Sequence, residues 1–178
     1  LSDACERGFG DRVLGCAGGS FDGTAAIARA AGARAVVPGS VDGEARTGKG
    51  EALWTLVCHA KSEIVVFLDA DLTSFQASWI ARLVAPLVAD PTLALVKGRF
   101  RRPLDDAPDG GGRVTELTAR PALALLVPHL AGVAQPLGGE LAARREVLDR
   151  VPFVNGWGVD LGLLADVVAM VGATALEQ

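Results

Sequence analysis

Asp69 and Asp71, spaced by Ala70, directly follow the apolar run Ile64-Val65-Val66-Phe67-Leu68. In extended chain, residues two apart project to the same side. The two carboxylates are therefore expected to emerge together at the carboxyl end of a buried strand, where open α/β sheets bind ligands. Neighbouring carboxylates repel, and a hard divalent cation relieves that repulsion. Mg2+ is typically held by one or two carboxylates together with substrate phosphates. The plainer alternative is a helix cap followed by a solvated loop acid.

Four further clusters carry chemistry. In Thr47-Gly48-Lys49-Gly50-Glu51, two glycines flank a lysine at a helix start, where backbone N–H groups and the dipole favour anions. The residues of a Walker A loop around that lysine are missing, and the segment reads equally as an ordinary loop lysine. Gly110-Gly111-Gly112-Arg113-Val114-Thr115 joins a glycine run, which lets backbone approach a ligand, to a planar guanidinium suited to phosphate or carboxylate. Arg101 and Arg102 add positive charge nearby, or are simply solvated. Gln135-Pro136-Leu137-Gly138-Gly139-Glu140 and Gly156-Trp157-Gly158-Val159-Asp160 complete the set, with Asp160 at a helix start where the dipole favours an acid. His59 and His129 fall outside every cluster and read as surface or packing residues. The motifs of serine hydrolases and zinc proteases are absent.

The elements that must position these residues alternate between strand and helix. Strands are predicted over 12–14, 35–37, 64–68, 93–96 and 140–143. Helices are predicted over 1–8, 25–31, 50–60, 76–88, 114–126, 145–150 and 158–170, with interruptions at Pro86 and Pro121. Asp22 or Thr24 is expected to cap the second of these helices and Gly32 to end it. Residues 39–48 and 105–112 read as loops. The pattern is α/β, built on a mainly parallel central sheet flanked by helices.

A chain of 178 residues supports one domain with a real core. A hydrophobic fraction of 50% and a charged fraction of 21% place it among globular proteins, and a net charge of −4 removes the basic footprint that nucleic-acid binding requires. No apolar run is long enough to span a bilayer. Cys5, Cys16 and Cys58, odd in number and irregularly spaced, read as reduced buried thiols of a cytoplasmic protein. The chain opens without Met inside an expected helix and stops without turn chemistry, so both ends read as cut.

Taken in order, TGKGEALW, IVVFLDADL, VKGRFRRPL, GGGRVTELTARPAL, QPLGGELAARREVL and VPFVNGWGVDLGLL resemble the glucosyl-3-phosphoglycerate synthases over nearly the whole chain, from about residue 13 to 178. The resemblance implies a retaining GT-A glycosyltransferase that moves glucose from UDP-glucose to 3-phosphoglycerate with Mg2+ or Mn2+, working as a homodimer. It also implies roles. Asp69, Ala70 and Asp71 take the DxD position, with Asp71 on the metal and Asp69 facing the donor. Lys49 contacts the nucleotide, and Leu137 and Gly138 border the glucose. Gly112, Arg113, Val114 and Thr115 hold the phosphoglycerate. Asp160 stands beside the sugar where the family carries glutamate, and with Asp69 forms the expected catalytic pair. One truncated GT-A core over 1–178 is implied, with a donor-binding half over about 1–104 and an acceptor-binding half over about 105–178. Trp157 replaces a family tyrosine, and Cys16-Ala17-Gly18-Gly19 stands where an acid is usual. The alternatives are a GT-A enzyme with another donor or acceptor, and a GT-A-like domain that binds nucleotide without catalysis.

Overall fold

Apolar runs without alternation make strands that can be covered on both faces, and the sheet at the centre of this protein is covered in that way. The computed structural model describes residues 13–16, 23–38, 48–72, 74–101 and 111–178. The expected helix over 1–8, Cys5, Ala17, the Asp22 cap, Arg102 and most of the loops over 39–48 and 105–112 lie outside the described residues.

The chain begins with β1 (Leu14–Cys16), α1 (Thr24–Ala30) and β2 (Arg34–Val36), and β1 and β2 pair in parallel. Gly23, not Thr24, stands at the start of α1, in the left-handed conformation at φ 81° that suits glycine. The following elements are α2 (Lys49–His59), β3 (Ile64–Phe67), α3 (Ser78–Ala89), β4 (Leu95–Lys97), a π-helical turn (Thr115–Ala119) running into α4 (Arg120–Leu126), β5 (Leu141–Arg144), α5 (Arg145–Leu148), α6 (Val159–Val171) and β6 (Leu176–Glu177).

Four of these strands form a sheet in the order β3-β5-β4-β6. β5 is antiparallel to both β3 and β4, and β4 is parallel to β6. Three strands share one direction, but the reversed β5 lies between two of them, so two of the three pairings are antiparallel and the sheet is mixed rather than mainly parallel. Pairing direction leaves no mark in hydrophobic periodicity, which is why β5 reads from sequence only as a short strand.

Strand alternation sorts the core into two layers. Val66, Ala142 and Val96 are cross-strand neighbours on one face and pack with Leu83 and Leu87 of α3. Val65, Phe67, Leu95, Leu141 and Ala143 belong to the opposite face, where Leu163, Leu164, Val167 and Val168 of α6, Leu123 of α4 and Val57 of α2 cover them. Truncating one of these fully buried leucines to alanine costs about 2–5 kcal/mol.

Three local details depart from expectation. α3 runs through Pro86 without interruption. Its exit is closed instead by Arg144, whose guanidinium donates to the carbonyls of Leu87 at 2.6 Å, Leu93 at 2.7 Å and Asp90 at 3.2 Å, satisfying acceptors that a helix end leaves open. The turn ahead of Pro121 widens into the π-helical segment, where a proline ring would otherwise meet the carbonyl four residues back. Among the cysteines, Cys58 is exposed on α2 rather than buried, and Cys16 is half-buried.

Candidate active site

Lys49 opens α2 between two glycines, and the structure gives those glycines a steric reason. A β-carbon on Gly50 would collide with the carbonyl oxygen of Val154, and one on Gly48, whose φ is 120°, would lie 2.9 Å from the Gly156 Cα. The segment 154–156 therefore lies directly against the start of α2. From that segment the chain passes through a 3-10 turn (Gly156–Gly158) into α6, with Asp160 in its first turn.

This close approach brings Lys49 to Asp160. The Lys49 ammonium donates to Asp160 Oδ2 at 3.0 Å and lies 3.1 Å from Asp69 Oδ1. One lysine thus bridges the expected catalytic pair, whose members stand 91 positions apart in the sequence. Burial opposes its charge, but the two carboxylates outweigh burial and hold its pKa above the usual lysine value. Asp160 is 5% exposed. Its burial raises the carboxyl pKa by more than Lys49, and further off Lys97, lower it, with the like charge of Asp69 adding to the rise.

The Gln135–Glu140 loop closes over the pair. A β-carbon at Gly139 would fall on the Asp69 carboxylate, and one at Gly138 would come within 3.0 Å of the Phe100 ring. The Gln135 amide donates to the Phe100 carbonyl at 3.2 Å. One side of this loop thus touches Asp69, and the other touches Phe100, which lines a cavity. That cavity, about 560 Å³, is lined by Arg99, Phe100, Arg101, Gly111, Glu116, Arg120, Ala134 and Gln135. Three guanidiniums give it a positive lining, partly balanced by the 2.8 Å pair between Arg120 and Glu116.

The model of the mannosylglycerate synthase GT domain matches residues 22–175. The chain belongs to this family. It is 46% identical to the glucosyl-3-phosphoglycerate synthase of Mycolicibacterium paratuberculosis over 96% of its own length and 55% of that protein. It is 38% identical to the mannosylglycerate synthase of Rhodothermus marinus over 66% of its length. The crystal structure of glucosyl-3-phosphoglycerate synthase from Mycobacterium tuberculosis in complex with Mn2+, UDP-glucose and phosphoglyceric acid superposes at a TM-score of 0.82, with 44% identity over 93% of this chain and 56% of that one. The complex of that enzyme with phosphoglyceric acid alone gives 0.85. The GT-A fold is therefore shared. The chain spans 55% of the length of that glucosyl-3-phosphoglycerate synthase and 31% of that of the Rhodothermus marinus mannosylglycerate synthase.

The family frame sorts the remaining expected residues by position. β3 ends at Phe67 and the chain turns at Ala70 and Asp71. The two aspartates are thus not successive same-side positions of one strand: Asp69 turns to Lys49, while Asp71 is exposed. Leu137 is half-buried and Gly138 is buried beside Phe100. Ahead of the π-helical turn Gly112 has φ 81°, Arg113 and Val114 are exposed and Thr115 is buried. Arg113 does not line the arginine cleft, although its neighbours Gly111 and Glu116 do. Trp157 is 81% exposed. His59 uses its ring nitrogen on the Thr55 carbonyl at 2.9 Å, a helix contact away from the site. Sequence reasoning missed Lys97, a buried lysine beneath the Gly138 turn, and also Arg99 and Arg120. The first hides in a three-residue strand, and nothing in the sequence marks the other two as lining a cavity.

Proposed function

We propose that this chain carries the core of a retaining glycosyltransferase that moves glucose from UDP-glucose to 3-phosphoglycerate. The observation that carries this reading is the Lys49 bridge between Asp69 and Asp160 beneath the Gly138–Gly139 turn, in a chain 44% identical to an enzyme solved with UDP-glucose and phosphoglyceric acid.

In this reading residues up to about 104 supply most of the donor site and those from about 105 most of the acceptor site. Lys49 turns toward the diphosphate and offsets the charge that develops as the sugar–phosphate bond breaks. Leu137 and Gly138 border the glucose. Asp160 orients a sugar hydroxyl and faces the oxocarbenium-like carbon. The acceptor hydroxyl attacks C1 from the face that UDP leaves, and its proton passes to the departing phosphate oxygen. Gly112, Arg113, Val114 and Thr115 hold the acceptor, and the neighbouring arginine cleft draws its phosphate and carboxylate.

The donor set suits a hard cation. Asp71 is exposed in the turn that follows β3, and Asp69 is engaged by Lys49. Among the described residues no group of three or more His, Cys, Asp or Glu side chains could hold a metal alone. One carboxylate plus diphosphate oxygens is the ligand set that Mg2+ or Mn2+ takes, so Asp71 would hold it. When bound, the ion supplies charge neutralisation for the leaving diphosphate. A homodimer and a cytoplasmic location complete the reading. Among the described residues no helix is long and apolar enough to cross a membrane.

A second reading, another donor or acceptor, is favoured by the mannosylglycerate synthase match and by Asp160 itself, one methylene shorter than the glutamate of the resembling synthases. A coupled UDP-release assay with Mg2+ and UDP-glucose separates the two, with 3-phosphoglycerate in one arm and glycerate or other sugar acids in the others. Release dependent on 3-phosphoglycerate supports the first reading. Release only in the other arms, or only when another nucleotide sugar replaces UDP-glucose, supports the second, and no acceptor-dependent release with any donor rules out both.

A further inference from the structure

Lys97, the last residue of β4, is 1% exposed. Lysine is almost never buried to this extent unless it is paired. The sheet explains where it points. Lys97 stands opposite Leu141, which stands opposite Phe67, and strand alternation puts all three on the face covered by α6. Lys97 is the charged member of that row. Its backbone is fixed by the sheet, and Gly98 donates to the Glu140 carbonyl at 2.8 Å. Its ammonium donates to the Gly138 carbonyl. The side chain thus joins the floor of the site to the turn that lies against Asp69.

The charges around it are those of the site. Burial lowers the Lys97 pKa to about 8, with Asp160, Glu140 and Asp69 acting to raise it and Lys49 to lower it. Asp160 is ion-paired with Lys49 of α2, and the charges of Lys97 on β4 and of Asp69, just past β3, act on it from further off. In the structure Lys49 balances Asp160 directly. If Lys49 turns to a diphosphate, Asp160 becomes a deeply buried carboxylate that has lost its ion-pair partner. Such a group is strongly disfavoured unless another cation stands near.

We propose that Lys97 is a positioning residue for the donor sugar: it fixes the Gly138–Gly139 turn from below and is the second cation that compensates Asp160 when Lys49 engages the diphosphate. The inference rests on the donor reading of the site and deepens it. It distinguishes the two halves of the donor, because UDP alone needs Lys49 and the metal side of the site, whereas the sugar needs the turn and Asp160.

Calorimetric titration of the full chain with UDP and with UDP-glucose, both with Mg2+, tests it. Lys97→Met is expected to weaken UDP-glucose binding by about tenfold or more while leaving UDP binding within about twofold. Lys97→Arg is expected to recover most of the loss. Equal losses for both ligands, or no loss for either, would overturn the proposal. Wild-type chain that binds UDP but gains nothing from the glucose would overturn it too, with the nucleotide site intact. Wild-type chain that binds neither would remove the donor reading and this proposal with it. If Lys97→Met does not fold, the carboxyl 13C titration of Asp160 in Lys49→Met decides. An Asp160 still ionised at neutral pH supports compensation by Lys97, and an Asp160 protonated at neutral pH contradicts it.

Discussion

Gly139 leaves no room for a β-carbon because the Asp69 carboxylate occupies that space. The contact ties the Gln135–Glu140 loop to the end of β3 and makes glycine a requirement of packing rather than of backbone angle. Gly139→Ala should push Asp69 away from Lys49. The expected result is a stability loss of about 1–3 kcal/mol and a rise in the dissociation constant for UDP-glucose, measured by urea unfolding and by calorimetry. A variant with unchanged affinity would separate the turn from the donor site.

Gly50 tests the other close approach. Alanine would improve helix propensity by about 1 kcal/mol. It would also meet the Val154 carbonyl, a backbone group that cannot swing aside, and overpacking of that kind costs about 1–3 kcal/mol. The steric term wins, so Gly50→Ala should lower the urea midpoint and loosen the Lys49–Asp160 pair. A raised midpoint would show that the segment 154–156 yields without cost.

The buried charges predict opposite pH behaviour for the two lysines. The pKa of Lys97 is lowered on folding to about 8 from an ordinary value of 10.5. The unfolded chain therefore binds more protons between those values, and stability gains with rising pH across that window. The pKa of Lys49 is raised, so its contribution is present below its ordinary value and is lost only as pH climbs through the higher folded one. Unfolding free energies of wild type and Lys97→Met, compared from pH 7 to pH 10.5, should show a rise for the wild type on the order of a few kcal/mol that the variant lacks. Parallel curves would mean that the Lys97 ammonium is not desolvated as its burial implies.

Asp71 and Arg113 are both exposed and should fail in different ways. Asp71→Ala is expected to abolish the Mg2+-dependent part of turnover. Arg113→Ala is expected to raise KM for the acceptor with a smaller change in kcat. Steady-state UDP release at varied metal and acceptor concentrations separates them. Full metal-dependent turnover in Asp71→Ala would reassign the metal ligand.

Much of this site was legible because chemistry and periodicity coincided. The apolar run before Asp69 and Asp71 marked a strand followed by acids, although β3 stands at the edge of its sheet rather than at the centre and both acids lie past its end, and Asp160 stood at a recognisable helix start. Other parts were hidden for physical reasons. Strand direction has no periodic signature, so the reversed β5 was not visible. A three-residue strand such as β4 is too short for alternation to declare Lys97 an inward position, and lysine by type reads as solvated. Gly48 and Gly50 read as flanking a lysine at a helix start that favours anions, and nothing in the sequence shows that they also admit the backbone of residues 154–156. Arg144 gave no hint that its guanidinium closes α3, because that contact joins residues more than fifty positions apart.

The most direct measurement is a one-dimensional proton spectrum of the chain incubated with UDP-glucose, 3-phosphoglycerate and Mg2+. Transfer with retention predicts that the anomeric signal of UDP-glucose is replaced by a new α-anomeric signal, without free glucose, and only when the acceptor is present. A spectrum in which UDP-glucose persists with the acceptor, or decays equally without it, would contradict the account.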